Sequence, residues 1–113
     1  MVSVSQSYAL CDFVAATNIQ SIASGWECSD GAPTTDVCSS SGSWSYVTCT
    51  NHRVVALYLG SLSLTGTLPS SLGSLYSLTQ LDLSWNSLTG TLPNSLSSLS
   101  KLIALKLEEN EFD

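Results

Sequence analysis

This sequence predicts an α/β solenoid with a parallel sheet on its concave side and a helical, disulfide-bonded cap at its N-terminus. Three observations predict it. Residues 54–113 repeat with a period of 24, so that Leu57-Tyr58-Leu59, Leu81-Asp82-Leu83 and Leu105-Lys106-Leu107 superimpose. The register extends beyond those triplets, aligning Leu64, Leu88 and Phe112, Gly66 with Gly90, Pro69 with Pro93, and Leu72, Leu75 and Leu78 with Leu96, Leu99 and Leu102. The unit LxxLxLSxNxLTGTLPxSLxSLxx occurs twice in full, with the start of a third copy. A fixed period of about 20–29 residues with leucines so placed marks stacked coils, each burying its apolar side against the next. Finally, all four cysteines lie before the repeats, within residues 1–53, which read as the cap.

The bulk composition fits one small domain. It is 43% hydrophobic and only 11% charged, which excludes a charge-driven disordered chain. With a net charge of −6 and only Arg53, Lys101 and Lys106 as fixed cations, it has no basic patch to neutralise a phosphate backbone, so no nucleic-acid partner is expected. No apolar run reaches the ~20 residues that span a bilayer, so no membrane insertion is expected. MVSVSQSYAL lacks the basic and apolar regions of a signal peptide. The expectation is a mature chain with an added Met1, or a segment of a longer precursor.

Residues 1–6 read as an extended lead-in. From about Ser7, Leu10, Phe13 and Val14 follow the i, i+3, i+4 spacing of one helical face. Asn18 weakens that pattern, so the helix should end near Thr17, with a further turn to about Gly25. Trp26 then stands where an aromatic can plug a core. Residues 29–45, with Ser-Asp-Gly-Ala-Pro and Ser-Ser-Ser-Gly-Ser, are loop chemistry. Such a length needs tethering. The cysteines Cys11, Cys28, Cys38 and Cys49 are spaced by 17, 10 and 11, unlike the close pairs of a zinc site. Two disulfides and an oxidising compartment fit better. Three pairings are open. Cys11–Cys28 with Cys38–Cys49 is preferred, because it ties the helix to the segment beyond it and closes a loop onto the first repeat.

Tyr46 to Cys49 reads as a strand, then a turn at 50–53. Within each repeat, leucines two apart face one side of a strand, into the core, and the residues between them face out. Asn86 and Asn110 sit where the chain leaves the strand, where an asparagine can satisfy the backbone of neighbouring coils. Leu62 holds that position in the first repeat, so the ladder should begin one coil late. Leu-Thr-Gly-Thr-Leu-Pro suits a second short strand ended by proline. Leucines three apart then suit a 3₁₀ turn.

The unit LTGTLPxSLxSLxxLxxLDLSxN resembles the plant-type leucine-rich repeat, LxGxIPxxLxxLxxLxxLxLxxN. The residues before it resemble the cysteine-paired cap of such proteins through Leu10-Cys11, Trp26, Cys28, Cys38, Trp44, Val47 and Cys49, then Arg53-Val54 and Leu57. The resemblance covers roughly residues 8–113. It implies an extracellular or cell-surface protein, such as a receptor-kinase ectodomain, a polygalacturonase-inhibiting protein or a leucine-rich protozoan surface antigen. Tyr46 departs from the glycine of the cap's W-x-G-V-x-C, and GTLP from the commoner GxIP. Asn18, Asn51, Asn86, Asn94 and Asn110 all lie outside Asn-x-Ser/Thr sequons, leaving O-glycosylation as the glycan route.

Catalysis needs a positioned nucleophile, base or metal. His52 is the only histidine and lies in a turn, and no serine elbow or phosphate loop is present. Glu108, Glu109, Glu111 and Asp113 lack EF-hand spacing and read as a solvated turn. The expectation is a non-enzyme without cofactor or metal.

Binding is the remaining function. The outward rows follow from the period as Ala56/Gln80/Ala104, Tyr58/Asp82/Lys106 and Gly60/Ser84/Glu108, with Ser61/Trp85/Glu109 at the strand ends. Tyr58 and Trp85 stand out, since neither holds a core position. Tyr58, Gln80, Asp82, Trp85, Lys106 and Glu108 are the candidate ligand contacts for a protein, a peptide or a glycan. Asp82 and Lys106 are expected to face each other as an exposed pair, whereas Trp26 and Trp44 are expected to pack. The alternative class is a structural or assembly protein of a coat or matrix. Leu105, Leu107 and Phe112 would then stack on further repeats, another chain or another copy.

Overall fold

The computed structural model describes residues 4–39 and 44–113. It opens on α1, Val4–Ala16, whose inward stripe is Gln6, Ala9, Leu10 and Phe13, all buried. The helix therefore starts before the end of the extended lead-in expected at residues 1–6. Gln6 explains the difference: its Oε1 accepts the Val54 N–H at 3.3 Å, so a polar residue serves the inner face. At the other end the Thr17 hydroxyl caps the Phe13 carbonyl at 2.8 Å, and a 3₁₀ turn comes next at Ile19–Ser21.

Two disulfides hold the loop beyond that turn. Cys11 is bonded to Cys28 and Cys38 to Cys49. Between them the chain makes a small hairpin of β1, Cys28–Ser29, and β2, Ala32–Pro33. Most of the Ser-Ser-Ser-Gly-Ser stretch (40–43) lies outside the described residues. Phe13, Trp26 and Trp44 stack in series, with centroids 5.9 and 5.0 Å apart. Both buried indoles are satisfied: Trp26 donates to the Ser45 carbonyl at 2.7 Å and Trp44 to the Thr35 hydroxyl at 3.0 Å. That is how a large amphipathic ring can be buried without an orphaned donor.

The main sheet has four strands. β3 is Val47–Thr50 and β4 is Arg53–Tyr58, an antiparallel pair joined by Asn51 and His52. Both joining residues have positive φ (52° and 62°), the geometry of a tight two-residue hairpin turn. A second, two-stranded parallel sheet joins β5, Thr65–Thr67, to β7, Ser87–Thr89. β6, Gln80–Asp82, and β8, Ala104–Lys106, extend the main sheet in parallel at one strand per repeat. The 3₁₀ turns Ser70–Ser74 and Asn94–Ser98 come after Pro69 and Pro93 on the opposite side. Leu57, Leu59, Leu64, Leu72, Leu75, Leu78, Leu81, Leu83 and Leu88 fill one core that is continuous with the cap's Phe13 and Trp26.

Asparagine side chains stitch successive coils. Asn86 Oδ1 accepts the N–H groups of Leu62 and Leu64 at 3.0 and 2.9 Å, and its amide donates to the Leu59, Leu83 and Ser84 carbonyls. Asn110 repeats the arrangement one coil later, on Leu88 N–H and the Leu83 carbonyl. The first coil, which carries Leu62 there, is served from outside it. Asn18 of the cap accepts the Thr65 N–H at 2.8 Å and donates to the Ser63 carbonyl at 3.2 Å. The residue that interrupted the helical pattern thus joins the cap to the repeats.

Candidate functional site

The parallel register of the main sheet fixes what its outer face presents. Ala56 pairs with Gln80 and Gln80 with Ala104, while Tyr58 pairs with Asp82 and Asp82 with Lys106. The stagger persists beyond the strands, where Leu59, Ser61, Leu83 and Trp85 donate to the carbonyls of Asp82, Ser84, Lys106 and Glu108 at 2.8–3.0 Å. Gly60, Ser84 and Glu108 therefore form the next row, and Ser61, Trp85 and Glu109 the last, although Ala56 and Ser84, expected to face outward, are buried at 3% and 6% exposure.

Tyr58 is 45% exposed and Trp85 62% exposed. Tyr58 leans across the sheet, its hydroxyl donating to Gln80 Oε1 at 2.5 Å. The Asp82–Lys106 ion pair expected on the sheet does not form: among the described residues no salt bridge joins them. Asp82 Oδ1 instead accepts the Ser84 N–H and hydroxyl, at 3.0 and 2.6 Å. A hydrogen-bonding neighbour two residues further along the chain satisfies the carboxylate with less ordering than a long lysine side chain would need.

Tyr58, Gln80, Leu81, Asp82, Ala104 and Lys106 line a depression of about 50 Å³. Clefts that enclose small molecules run to roughly 300–1,000 Å³. The depression is thus far smaller than such a cleft.

Tyr46 belongs beside this surface, although the repeat pattern did not single it out. It is 46% exposed, and its carbonyl accepts the Tyr58 N–H at 3.1 Å, which places it next to Tyr58 at the sheet's cap edge. Its φ of +69° lies in the left-handed region, where a non-glycine residue costs about 1–2 kcal/mol. The signal was its departure from the glycine of the cap motif.

The other candidates fall elsewhere. Leu105 is exposed, while Leu107 and Phe112 are half-buried against the core. His52 is exposed in the hairpin turn. Glu108, Glu109, Glu111 and Asp113 are exposed, and among the described residues no three His, Cys, Asp or Glu side chains gather as a metal site. No described helix is long and apolar enough to cross a membrane.

Comparison with known proteins bears on this arrangement. The family model for the Leucine Rich Repeat matches residues 77–99, the coil that carries β6, β7 and Trp85. The BIR3–SERK2 complex from Arabidopsis thaliana is 29% identical over 92% of this chain and 56% of that one, with a TM-score of 0.71. This is a leucine-rich repeat chain with a cysteine-paired cap. The Arabidopsis receptor kinase HAESA, in complex with the peptide hormone IDA and the co-receptor SERK1, is 31% identical over 97% of this chain and 18% of that one (TM-score 0.72). The leucine-rich repeat ectodomain of the Arabidopsis thaliana receptor kinase GASSHO1/SCHENGEN3, in complex with CASPARIAN STRIP INTEGRITY FACTOR 2, is 41% identical over 66% of this chain and 10% of that one (TM-score 0.60). The leucine-rich repeat chain described here spans at most little more than half of the length of any of the three.

Proposed function

We propose that this chain is a recognition module of an extracellular protein, and that it binds an extended peptide or protein segment. On this reading residues 1–53 are the cap and residues 54–113 the first coils of a solenoid. The main sheet is its concave face, and Tyr58, Gln80, Asp82, Trp85, Lys106 and Glu108 are the contacts. One observation carries the proposal: two large aromatic side chains stand exposed on an open sheet face whose repeat already fills its core positions with leucine. Aromatic anchors on a rigid backbone concentrate binding energy because they lose little freedom on contact. The similar structures include complexes with peptides and proteins, which supports the same class of partner. The two disulfides fit an oxidising, extracellular setting. An assembly role through Leu105, Leu107 and Phe112 has less support, since two of those three already pack on the chain's own core.

The test is a random peptide library selected on the immobilised chain. Enriched peptides should lose at least about 1–2 kcal/mol of affinity on Trp85→Ala and on Tyr58→Ala, but little on Ser74→Arg on the opposite side. Equal affinity for all three variants would remove the interface from this face.

A further inference from the structure

Ser61, Trp85 and Glu109 occupy one position of successive coils, with φ of 58°, 58° and 61°. That region favours glycine and asparagine, so the backbone does not call for tryptophan there. Packing does not call for it either, because Trp85 is the one tryptophan left exposed while Trp26 and Trp44 are buried. Yet the base beneath the ring is fixed. Its N–H donates to the Glu108 carbonyl at 3.0 Å, and the preceding Ser84 carbonyl accepts both the Ser61 N–H and the Asn86 side-chain amide. The indole is an exposed apolar plate on an ordered support.

Two carboxylates adjoin that plate in the sheet's rows. Glu109 follows Trp85 one coil along, about 5 Å away at the backbone, and Glu108 lies in the adjoining row. Asp82 turns its carboxylate toward the same end of the sheet, over Gly60, where a Cβ would meet its Oδ1 at 3.0 Å. Ser61, on the other side, is small enough to leave the ring's flank open. Carboxylates accept hydrogen bonds and do not donate them. A guest that only donates therefore matches best, and guanidinium and ammonium groups are such guests. The face of an indole also attracts cations, and the chain's net charge of −6 draws them from a distance.

We propose that Trp85, with Glu108 and Glu109, receives the arginine or lysine side chain of an extended peptide lying on the sheet. This rests on the recognition reading above and names the chemistry of one contact. The probe is a fluorescein-labelled peptide of alternating serine and arginine, compared with versions carrying citrulline or glutamate in place of arginine. Binding is read by anisotropy, and the Trp85 indole N–H is followed by NMR. The arginine peptide should bind about tenfold more tightly than the citrulline peptide, and should weaken as salt is raised. Trp85→Ala and Glu109→Gln should each erase most of that preference, while leaving the Trp26 and Trp44 resonances in place as proof of folding. Equal binding of the arginine and citrulline peptides overturns the cation site and leaves peptide recognition standing. A neutral cello-oligosaccharide that moves the Trp85 resonance more than the arginine peptide does also overturns it, in favour of a glycan. Silence of every sheet resonance toward all three peptides overturns both proposals.

Discussion

Asn86→Ala should remove a larger share of the stability than any other single polar-to-alanine change in the repeats. The side chain makes five hydrogen bonds, two accepted from Leu62 and Leu64 N–H and three donated to the Leu59, Leu83 and Ser84 carbonyls. Alanine leaves the two part-buried N–H groups without their acceptor. Net values near 1 kcal/mol per bond, with the extra penalty of buried unpaired donors, give a loss of about 3–5 kcal/mol. Asn110 is the internal control. It accepts only the Leu88 N–H at 3.0 Å and donates well only to the Leu83 carbonyl at 2.7 Å, its other contacts being 3.3 and 3.4 Å. Asn110→Ala should therefore cost about 2 kcal/mol. Since a domain of this size holds roughly 5–15 kcal/mol in total, urea unfolding followed by circular dichroism resolves the two. Equal midpoints for the two variants, or an Asn86→Ala midpoint within error of the parent, would refute the stitching argument.

Three further outcomes are expected. A Cβ at Gly66 would lie 2.0 Å from the Ala16 carbonyl, at φ +102°, whereas at Gly31 nothing lies within 4 Å. Gly66→Ala should thus separate α1 from β5 and prevent a cooperative thermal transition, while Gly31→Ala should cost only about 1 kcal/mol for its left-handed backbone; similar melting of both variants would contradict this. Opening either disulfide by paired Cys→Ala changes should lower stability by about 3 kcal/mol, as loops of 17 and 11 residues imply, and peptide mapping without reductant should recover the Cys11–Cys28 and Cys38–Cys49 peptides. Leu81→Asp places an unpaired charge in a position only 1% exposed and should abolish folding, which a soluble variant with parental melting would disprove.

The repeat was the legible part of the fold, because its leucines recur with the coil and each coil uses the same physics. Register followed from arithmetic: once Leu57, Leu81 and Leu105 pair along the sheet, Tyr58, Asp82 and Lys106 must share a row. The cap was less legible because its pattern is not periodic. Gln6 looked like a lead-in residue and is buried, since its value lies in a hydrogen bond to Val54, 48 positions away. Asn18 looked like a flaw in a helix, and its role emerges only when the first coil is placed against it. Side-chain choice on the open face was the hardest to read. Row membership put Asp82 beside Lys106, but the competing bond to Ser84 is local and wins. Tyr46 carried a signal in being a tyrosine where the resembling cap has glycine, yet only its φ of +69° gives that signal a physical meaning.

The most direct test of peptide recognition on the main sheet is amide and indole chemical-shift mapping of the labelled chain as a library-selected peptide is added. The largest shifts should fall on Tyr58, Gln80, Asp82, Lys106 and the Trp85 indole, with Ser74 and Tyr76 on the opposite side unmoved. Shifts concentrated around Ser70–Ser74 and Asn94–Ser98, with the Trp85 indole stationary, would contradict it.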